Sequence, residues 1–322
     1  MQRKIKKNKK GIEMTFSWMF SIIAGAVILF LAIYAASRLL KTAKYEVSTV
    51  TAKELSIIFE PMETGIASGK SIKASLSEET RIFNDCYDTG TFGEQRISLA
   101  VKKGKQWSKP GAEIPINNKY IFSNATTDGK TVYIFGMPFE FPFKAADMIV
   151  LTTRSYCFIN SPDFIMDELE TLNLENIKFE ARNCTKEDVK VCFGSGSWVG
   201  GKCDMVVYGT CSLACESDFD EGYVYKDKKN IYFSGKLIYP AIFSSPDLYE
   251  CNIKRLAKKA GQLAMLYKDE ANWLSTKCGT VSSAELANFG QQLNALKDSR
   301  SLVMLSGQAK ALDSQIAECE LW

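Results

Sequence analysis

The sequence predicts an α+β protein with an N-terminal transmembrane helix, a mixed β-sheet head with one βαβ unit and hairpins, and a C-terminal three-helix unit. Three observations carry this prediction. Residues 14–37 are uncharged, short strand-like runs separated by turn residues begin near residue 71, and helical periodicity replaces them after residue 246. The predicted parts are therefore a basic cytoplasmic tail (1–13), a transmembrane helix (14–40), a juxtamembrane helical stalk (41–66), an extracytoplasmic α+β head (67–246) and a C-terminal helical unit (247–322).

The uncharged N-terminal stretch has the length and composition of a membrane span. It covers the 24 residues Met14–Ser37, whereas ~20 helical residues already cross a ~30 Å hydrocarbon core. The apolar region of a cleaved signal peptide is shorter, about 7–15 residues. Phe16, Trp18 and Tyr34 are the expected anchoring aromatics near its ends. The segment is thus predicted to stay in the lipid, which residues 14–40 contact.

Basic residues around this span predict its orientation. Six lysines and arginines precede it, and three follow it closely. The positive-inside rule then places the N-terminus in the cytoplasm and the C-terminal body outside the cell membrane. The expected localisation is a single-pass protein of the cell membrane.

A type IV pilin-like subunit is the alternative interpretation of the N-terminus. Two lysines, Gly11 and Ile12 precede an apolar helix, as in prepilins, which are processed after the small residue. Pilins usually carry a glutamate five residues after the cut, but Glu13 comes only two residues after Gly11. The spacing weakens this alternative and leaves Gly11 as a candidate processing site.

Composition argues against several classes of function. Histidine is absent, which removes the commonest general base and metal ligand. The net charge of +3 is supplied by the basic tail, so the nearly neutral remainder lacks the basic face that nucleic acid requires. The sequence shows no zinc knuckle, C-x-x-C redox site or nucleophile elbow. We therefore predict no catalytic, cofactor-binding or metal-binding residues; an extracytoplasmic enzyme using carboxylates or a free cysteine is a further alternative.

The cysteines predict disulfides instead. All ten lie after the apolar stretch, and an even number of cysteines outside the membrane favours pairing. Cys278 ends the first predicted C-terminal helix, and Cys319 ends the third. Because the second helix runs away from Cys278 and the third runs back over a similar length, these two cysteines are expected to meet.

Two further cysteine pairs follow from spacing. Cys192 and Cys203 flank a Gly/Ser-rich turn at nearly equal distances and are predicted to face each other across a hairpin. Cys184 and Cys211 are equally symmetric about the same turn, although Cys211 and Cys215 form a competing close pair. The spacing assigns no partners to the remaining cysteines.

The sequence of the head also predicts a βαβ unit, a hairpin and two glycosylation sites. The run from residue 146 to 159, a helix start signal and a later strand predict the βαβ unit, which lacks a Gly-rich phosphate fingerprint. The run GYVYKDKKNIYFSG predicts a hairpin with a solvated charged tip. Asn124 and Asn183 begin N-x-[ST] sequons and are candidate glycosylation sites.

Residues spread along nearly the whole chain carry a resemblance. They include MTFSWMFSIIAGAVILFLAIYAA, TRIFNDC, FGEQRIS, PFKAADMIVLTT, YECNIKRLAKKAGQLAMLYK and the terminal CELW. In this order they resemble uncharacterised archaeal single-pass membrane proteins with a cysteine-rich extracytoplasmic domain. The resemblance implies an envelope location and carries over no functional residues.

The combined prediction is a membrane-anchored, disulfide-stabilised envelope protein that acts in binding or structural organisation. Its expected partners are membrane lipid and proteins of the envelope, and nucleic acid is not expected. The apolar stripes of the C-terminal helices are interpreted as intramolecular core, with an oligomer seam as the alternative.

Overall fold

The computed structural model describes residues 18–38, 71–180, 183–194, 196–198, 201–211, 219–278, 282–315, 319 and 321–322. The chain divides into two compact units, Met1–Val47 and Ser48–Trp322. The predicted tail and stalk, together with Gly11 and Phe16, lie outside the described residues.

The described part of the first unit is one helix, α1 (Trp18–Arg38). It has 21 residues, a mean hydropathy of 2.4 and an apolar segment that is not buried in the protein. Trp18 and Tyr34 are exposed along with most of its apolar side chains. By length and composition this helix can cross a membrane.

The second unit is α+β, as the sequence predicts. Its described strands are β1 (Ser71–Tyr87), β2 (Glu94–Lys103), β3 (Gln106–Trp107), β4 (Ile114–Ile116), β5 (Tyr120–Phe122), β6 (Thr126–Glu140), β7 (Lys144–Thr152), β8 (Tyr156–Ile159), β9 (Ile177–Phe179), β10 (Val189–Phe193), β11 (Ser197–Trp198), β12 (Gly201–Lys202), β13 (Met205–Thr210), β14 (Glu221–Lys226) and β15 (Lys229–Ser234). Its described helices are α2 (Asp163–Thr171), α3 (Ile238–Phe243), α4 (Pro246–Leu274), α5 (Ser283–Asn294), α6 (Ser299–Met304) and α7 (Ser306–Asp313).

The first sheet has the order β3-β2-β1-β6-β7-β5, with β4 also paired to β2. The sheet is curled, so that β5 at one end lies close to β1 and β2. Contact across the curl is made by the side chain of Gln95 on β2, which accepts from Ile121 N and donates to Ile121 O on β5, both at 2.7 Å. Asn84 N also donates to Ala125 O, at 2.9 Å. The curl encloses an aliphatic cluster on its concave face, which includes Ile82, Leu99 and Ile134.

The second sheet has the order β15-β14-β13-β10-β8-β9. The connection β8-α2-β9 is the predicted βαβ unit, and its two strands pair in parallel. Its first strand is shorter than predicted, because the run from residue 146 to 159 is divided between β7 of the first sheet and β8 of the second. The predicted hairpin β14-β15 is also present, with a two-residue turn at Asp227 and Lys228, both of which have positive φ. A single aromatic-rich core fills the space between this sheet, the convex face of the first sheet and the helices.

The apolar stripe of α4 is intramolecular core. Tyr249, Ile253, Leu256 and Ala260 are fully buried within the chain. Helix α5 crosses α4 at close range, since a Cβ added at Gly261 would lie 2.8 Å from Gly290 O. Ser282 caps α5 by accepting from Glu285 N, as its sequence pattern predicts.

A buried polar cluster ties α4 to the curled sheet. The guanidinium of Arg255 donates to Gln95 Oε1 (3.0 Å), Lys119 O (3.0 Å) and Asn252 Oδ1 (2.8 Å). Its ring contact is Tyr120, with Cζ 4.8 Å from the ring centroid. Burial lowers the pKa of Arg255 to about 10, which still leaves it charged at neutral pH. We interpret this cluster as structural.

Two predictions from the sequence are wrong. β10 and β13 do not form a hairpin: they pair in parallel, with Val191 opposite Met205, because the chain returns to the start of β10 before β13 begins. The third C-terminal helix is divided at Leu305 into α6 and α7, and α7 ends at Asp313.

Candidate functional site

Disulfides link the elements around the core. Cys278–Cys319 and Cys192–Cys203 are both present, with Cα atoms 6.1 Å and 6.0 Å apart. Cys86–Cys251 joins β1 to α4, with a Cα separation of 6.1 Å. All nine cysteines of the described chain are disulfide-bonded.

The proposed symmetric pairing of Cys184 with Cys211 is wrong. Cys184 pairs with Cys157 on β8, with Cα atoms 5.6 Å apart. The symmetry argument assumed antiparallel strands about the turn, and the strands are parallel. Cys211 is disulfide-bonded as well, but its predicted alternative partner, Cys215, lies outside the described residues.

The two sequon asparagines occupy different surroundings. Asn124 is half-buried in the loop between β5 and β6. Asn183 is exposed, and its Nδ2 donates to Phe179 O at 3.0 Å. The backbone N of Thr185 donates to Asp188 Oδ2 at 2.7 Å, so the Asn183 sequon is held between two hydrogen-bonded positions.

A polar cleft of ≈ 330 Å³ opens at one end of the second sheet. Tyr156, Val189 and Met205, the first residues of β8, β10 and β13, line it. The opposite wall comes from α3, Ser244 and the end of β14. The cleft therefore lies at the amino ends of the parallel strands, whereas ligands of open α/β sheets usually bind at the carboxyl ends. A second cavity shares Asn124 and Arg154 with it.

Lys226, the last residue of β14, is buried in the wall of this cleft with a relative exposure of 5%. Its Nζ donates to the backbone O of Ile242, at 3.0 Å, and to the backbone O of Ser244. Ile242 is in the last turn of α3 and Ser244 is its C-cap, and a lysine is favourable at a helix C-terminus. Burial lowers the pKa of Lys226 from 10.5 to about 7, against the opposing effect of Asp227.

Charged residues of both signs surround the opening. Asp188 is already engaged: burial would raise its pKa, but hydrogen bonds from Thr185, Lys178 and Ser155 hold the pKa at about 2. Asp204 accepts from Lys190 N at 2.7 Å. In contrast, the exposed guanidinium of Arg154 has no hydrogen bond or ion pair with any described residue.

The outer face of the second sheet carries a strip of four tyrosines, Tyr208, Tyr223, Tyr225 and Tyr232. Tyr208 stacks on Tyr223 across β13 and β14, with centroids 5.0 Å apart, and Tyr223 contacts Tyr232 at 5.9 Å. Tyr208 and Tyr225 are exposed. We call these four residues the tyrosine strip.

The described residues contain no cluster of three or more metal-ligating side chains. Comparison with protein-family models, with curated proteins and with solved structures found no match. The cleft and the tyrosine strip are therefore interpreted from their own chemistry.

The sequence analysis predicted neither the cleft nor the tyrosine strip, although the alternation of residues in β14 indicates that Lys226 faces inward. The run Tyr223-Val224-Tyr225-Lys226 was interpreted as leading to a solvated tip. Strand alternation places Val224 and Lys226 on the same inward face. The prediction of a solvated tip is confirmed for Asp227 to Lys229, which are exposed, and is wrong for Lys226, which is buried.

Proposed function

We propose that this chain is a single-pass protein of the cell membrane, with a cytoplasmic tail and an external, non-catalytic body that binds or organises envelope proteins. One observation carries the location: every cysteine of the described chain is in a disulfide. Disulfides persist in oxidising surroundings and are rare in the cytosol. The resemblance to archaeal single-pass proteins supports the same location.

The tyrosine strip supports the binding role. Tyrosine is enriched at protein interfaces because its ring offers a large contact area at a low cost in conformational entropy, while its hydroxyl keeps a hydrogen-bonding end. The strip lies on a sheet whose opposite face belongs to the main core. Its backbone is therefore held rigid, which lowers the entropic cost of association.

The location is tested by thiol labelling of cells that produce the full chain. Intact spheroplasts are treated with an impermeant maleimide, before and after reduction with an impermeant phosphine. We expect labelling only after reduction, and without cell lysis. Labelling that requires lysis, or labelling without reductant, would contradict the external placement.

The N-terminus of the same protein distinguishes the anchored form from the pilin-like alternative. Intact mass spectrometry is expected to show a chain that retains residues before Gly11. A chain that starts at Ile12 would favour a processed, pilin-like subunit instead.

Binding is tested by crosslinking in native membranes. The double variant Tyr208→Ser/Tyr225→Ser is expected to lose the crosslinked species that the unmodified chain forms. Tyr87→Ser is the matched control, because Tyr87 is similarly exposed but lies on β1 of the first sheet. Equal crosslinking by both variants would remove the strip from the proposed interface.

A further inference from the structure

We propose that the cleft at the amino ends of β8, β10 and β13 binds a small 2-oxo acid covalently, as an imine on Lys226. This inference goes beyond the proposed function and does not depend on the cellular location of the body. It is carried by the position of the amine, by its two acceptors and by an unengaged guanidinium at the same opening.

The hydrogen bonds of Lys226 occupy two positions on its amine and leave one for a reaction. Two positions on Nζ are occupied by hydrogens donated to Ile242 O and Ser244 O. Both acceptor residues also line the cleft. The remaining position of the tetrahedral nitrogen, which holds the lone pair of the uncharged amine, is left for an occupant of the cleft.

The adjacent Asp227 favours the charged form of the amine, but burial outweighs it. No described carboxylate forms an ion pair with Lys226, whereas Lys229 on the same hairpin pairs with Asp247 at 2.6 Å. With a pKa of about 7, Lys226 is about half uncharged at neutral pH. Desolvated lysines of this kind are the ones that react with carbonyl compounds.

The cleft is lined by charges of both signs, including Lys186, Glu187 and Asp227, and the Arg154 guanidinium is the group that selects the class of carbonyl compound. Asp188 and Asp204 are occupied by donors from the protein, while the Arg154 guanidinium is exposed and unengaged. A guanidinium matches a carboxylate in geometry and charge. A cavity of ≈ 330 Å³ accommodates a small molecule with a carbonyl beside a carboxylate.

The reaction balances without an oxidant or a reductant. The lone pair of Nζ attacks the carbonyl carbon, and the C–N bond forms. The carbonyl oxygen takes up two protons, one from the amine and one from solvent, and leaves as water. The protonated imine keeps one N–H, which donates to one of the two backbone carbonyls.

The test is reductive trapping on the full chain in detergent micelles at pH 7. Glyoxylate is the probe and cyanoborohydride the trap, and peptide mapping measures the rate at each lysine. The free-base fraction at pKa 7 exceeds that at pKa 10.5 by about a thousandfold, so after allowing for restricted access we expect Lys226 to react at least about tenfold faster than Lys229. A rate at Lys226 equal to or below that at Lys229 would overturn the proposal and leave Lys226 as a helix cap.

Acetaldehyde, which lacks a carboxylate, tests the ligand class. Arg154→Met is expected to slow the glyoxylate reaction at Lys226 by about fivefold or more and to leave the acetaldehyde reaction unchanged. If the variant slows neither reaction, the assignment to 2-oxo acids is wrong. Lys226→Arg is the blank for the trapped peptide, and a disulfide map matching that of the unmodified chain shows that it has folded.

Discussion

Removal of the Cys86–Cys251 disulfide is expected to destabilise the body more than removal of any other disulfide whose two cysteines are described. These residues are 165 positions apart, compared with 41 for Cys278–Cys319 and 11 for Cys192–Cys203. A crosslink removes conformational entropy from the unfolded chain, and the effect grows with the logarithm of the closed loop. The corresponding losses in unfolding free energy are about 5, about 4 and about 3 kcal/mol.

Two structural details bear on these magnitudes. Cys157–Cys184 and Cys192–Cys203 lie inside the longest loop and shorten its effective length, but the logarithm makes this change small. Cys192 is buried whereas Cys86 is half-buried, so replacing Cys192 by alanine also leaves a small cavity. We therefore expect the Cys86→Ala/Cys251→Ala variant to be less stable than Cys192→Ala/Cys203→Ala by at least about 1 kcal/mol.

The assay is guanidinium denaturation of the full chain in detergent, followed by tryptophan fluorescence under non-reducing conditions. The slope of unfolding against denaturant must stay constant across the variants for their free energies to be compared. The loop-entropy reasoning would be refuted for this fold if the Cys86→Ala/Cys251→Ala variant had an unfolding free energy equal to or above that of Cys192→Ala/Cys203→Ala.

Three further predictions use the same assay. Arg255→Met should lower the unfolding free energy by about 3 kcal/mol or more, because it strands several buried acceptors that the guanidinium satisfies; a loss below 1 kcal/mol would show that the cluster is dispensable. Gly290→Ala should cost about 1–3 kcal/mol, because a Cβ there would lie 2.9 Å from Gly261 O and force α4 and α5 apart. Gly307→Ala, which has open space around it, should instead stabilise the protein by up to about 1 kcal/mol, because alanine is favoured over glycine in a helix. Lys226→Met should flatten the pH dependence of stability. The pKa of Lys226 is about 7 in the folded protein, compared with an ordinary value of 10.5, so between these pH values the unfolded chain binds more protons than the folded one. The unfolding free energy of the unmodified protein should therefore rise over this range by up to about 1.4 kcal/mol per pH unit relative to the variant. Parallel pH profiles for the two proteins would contradict the lowered pKa.

The local sequence pattern was enough to predict those helices and strands that depend only on residues close together in the chain. The uncharged run that becomes α1 and the apolar stripe of α4 are both readable because helical periodicity depends only on near neighbours. The pairing of Cys278 with Cys319 followed from helix direction and length, although the third helix is divided. The βαβ unit was readable for the same reason, since its crossover is short and its pairing follows from chirality.

Direction of strand pairing, in contrast, was decided by the path of the chain through space. The runs that became β10 and β13 alternate identically whether they pair in parallel or antiparallel, so their sequence could not distinguish the two. The wrong choice also gave Cys184 the wrong partner. Likewise, Lys226 is buried because α3 folds over the end of β14, and the last turn of α3 and its C-cap each supply a carbonyl. The sequence by itself thus determined the apolar helix α1, the class of fold and the main C-terminal helices. Only the tertiary structure decided the curled sheet, the parallel pairing of β10 with β13 and the cleft, because each depends on contacts between residues far apart in the chain.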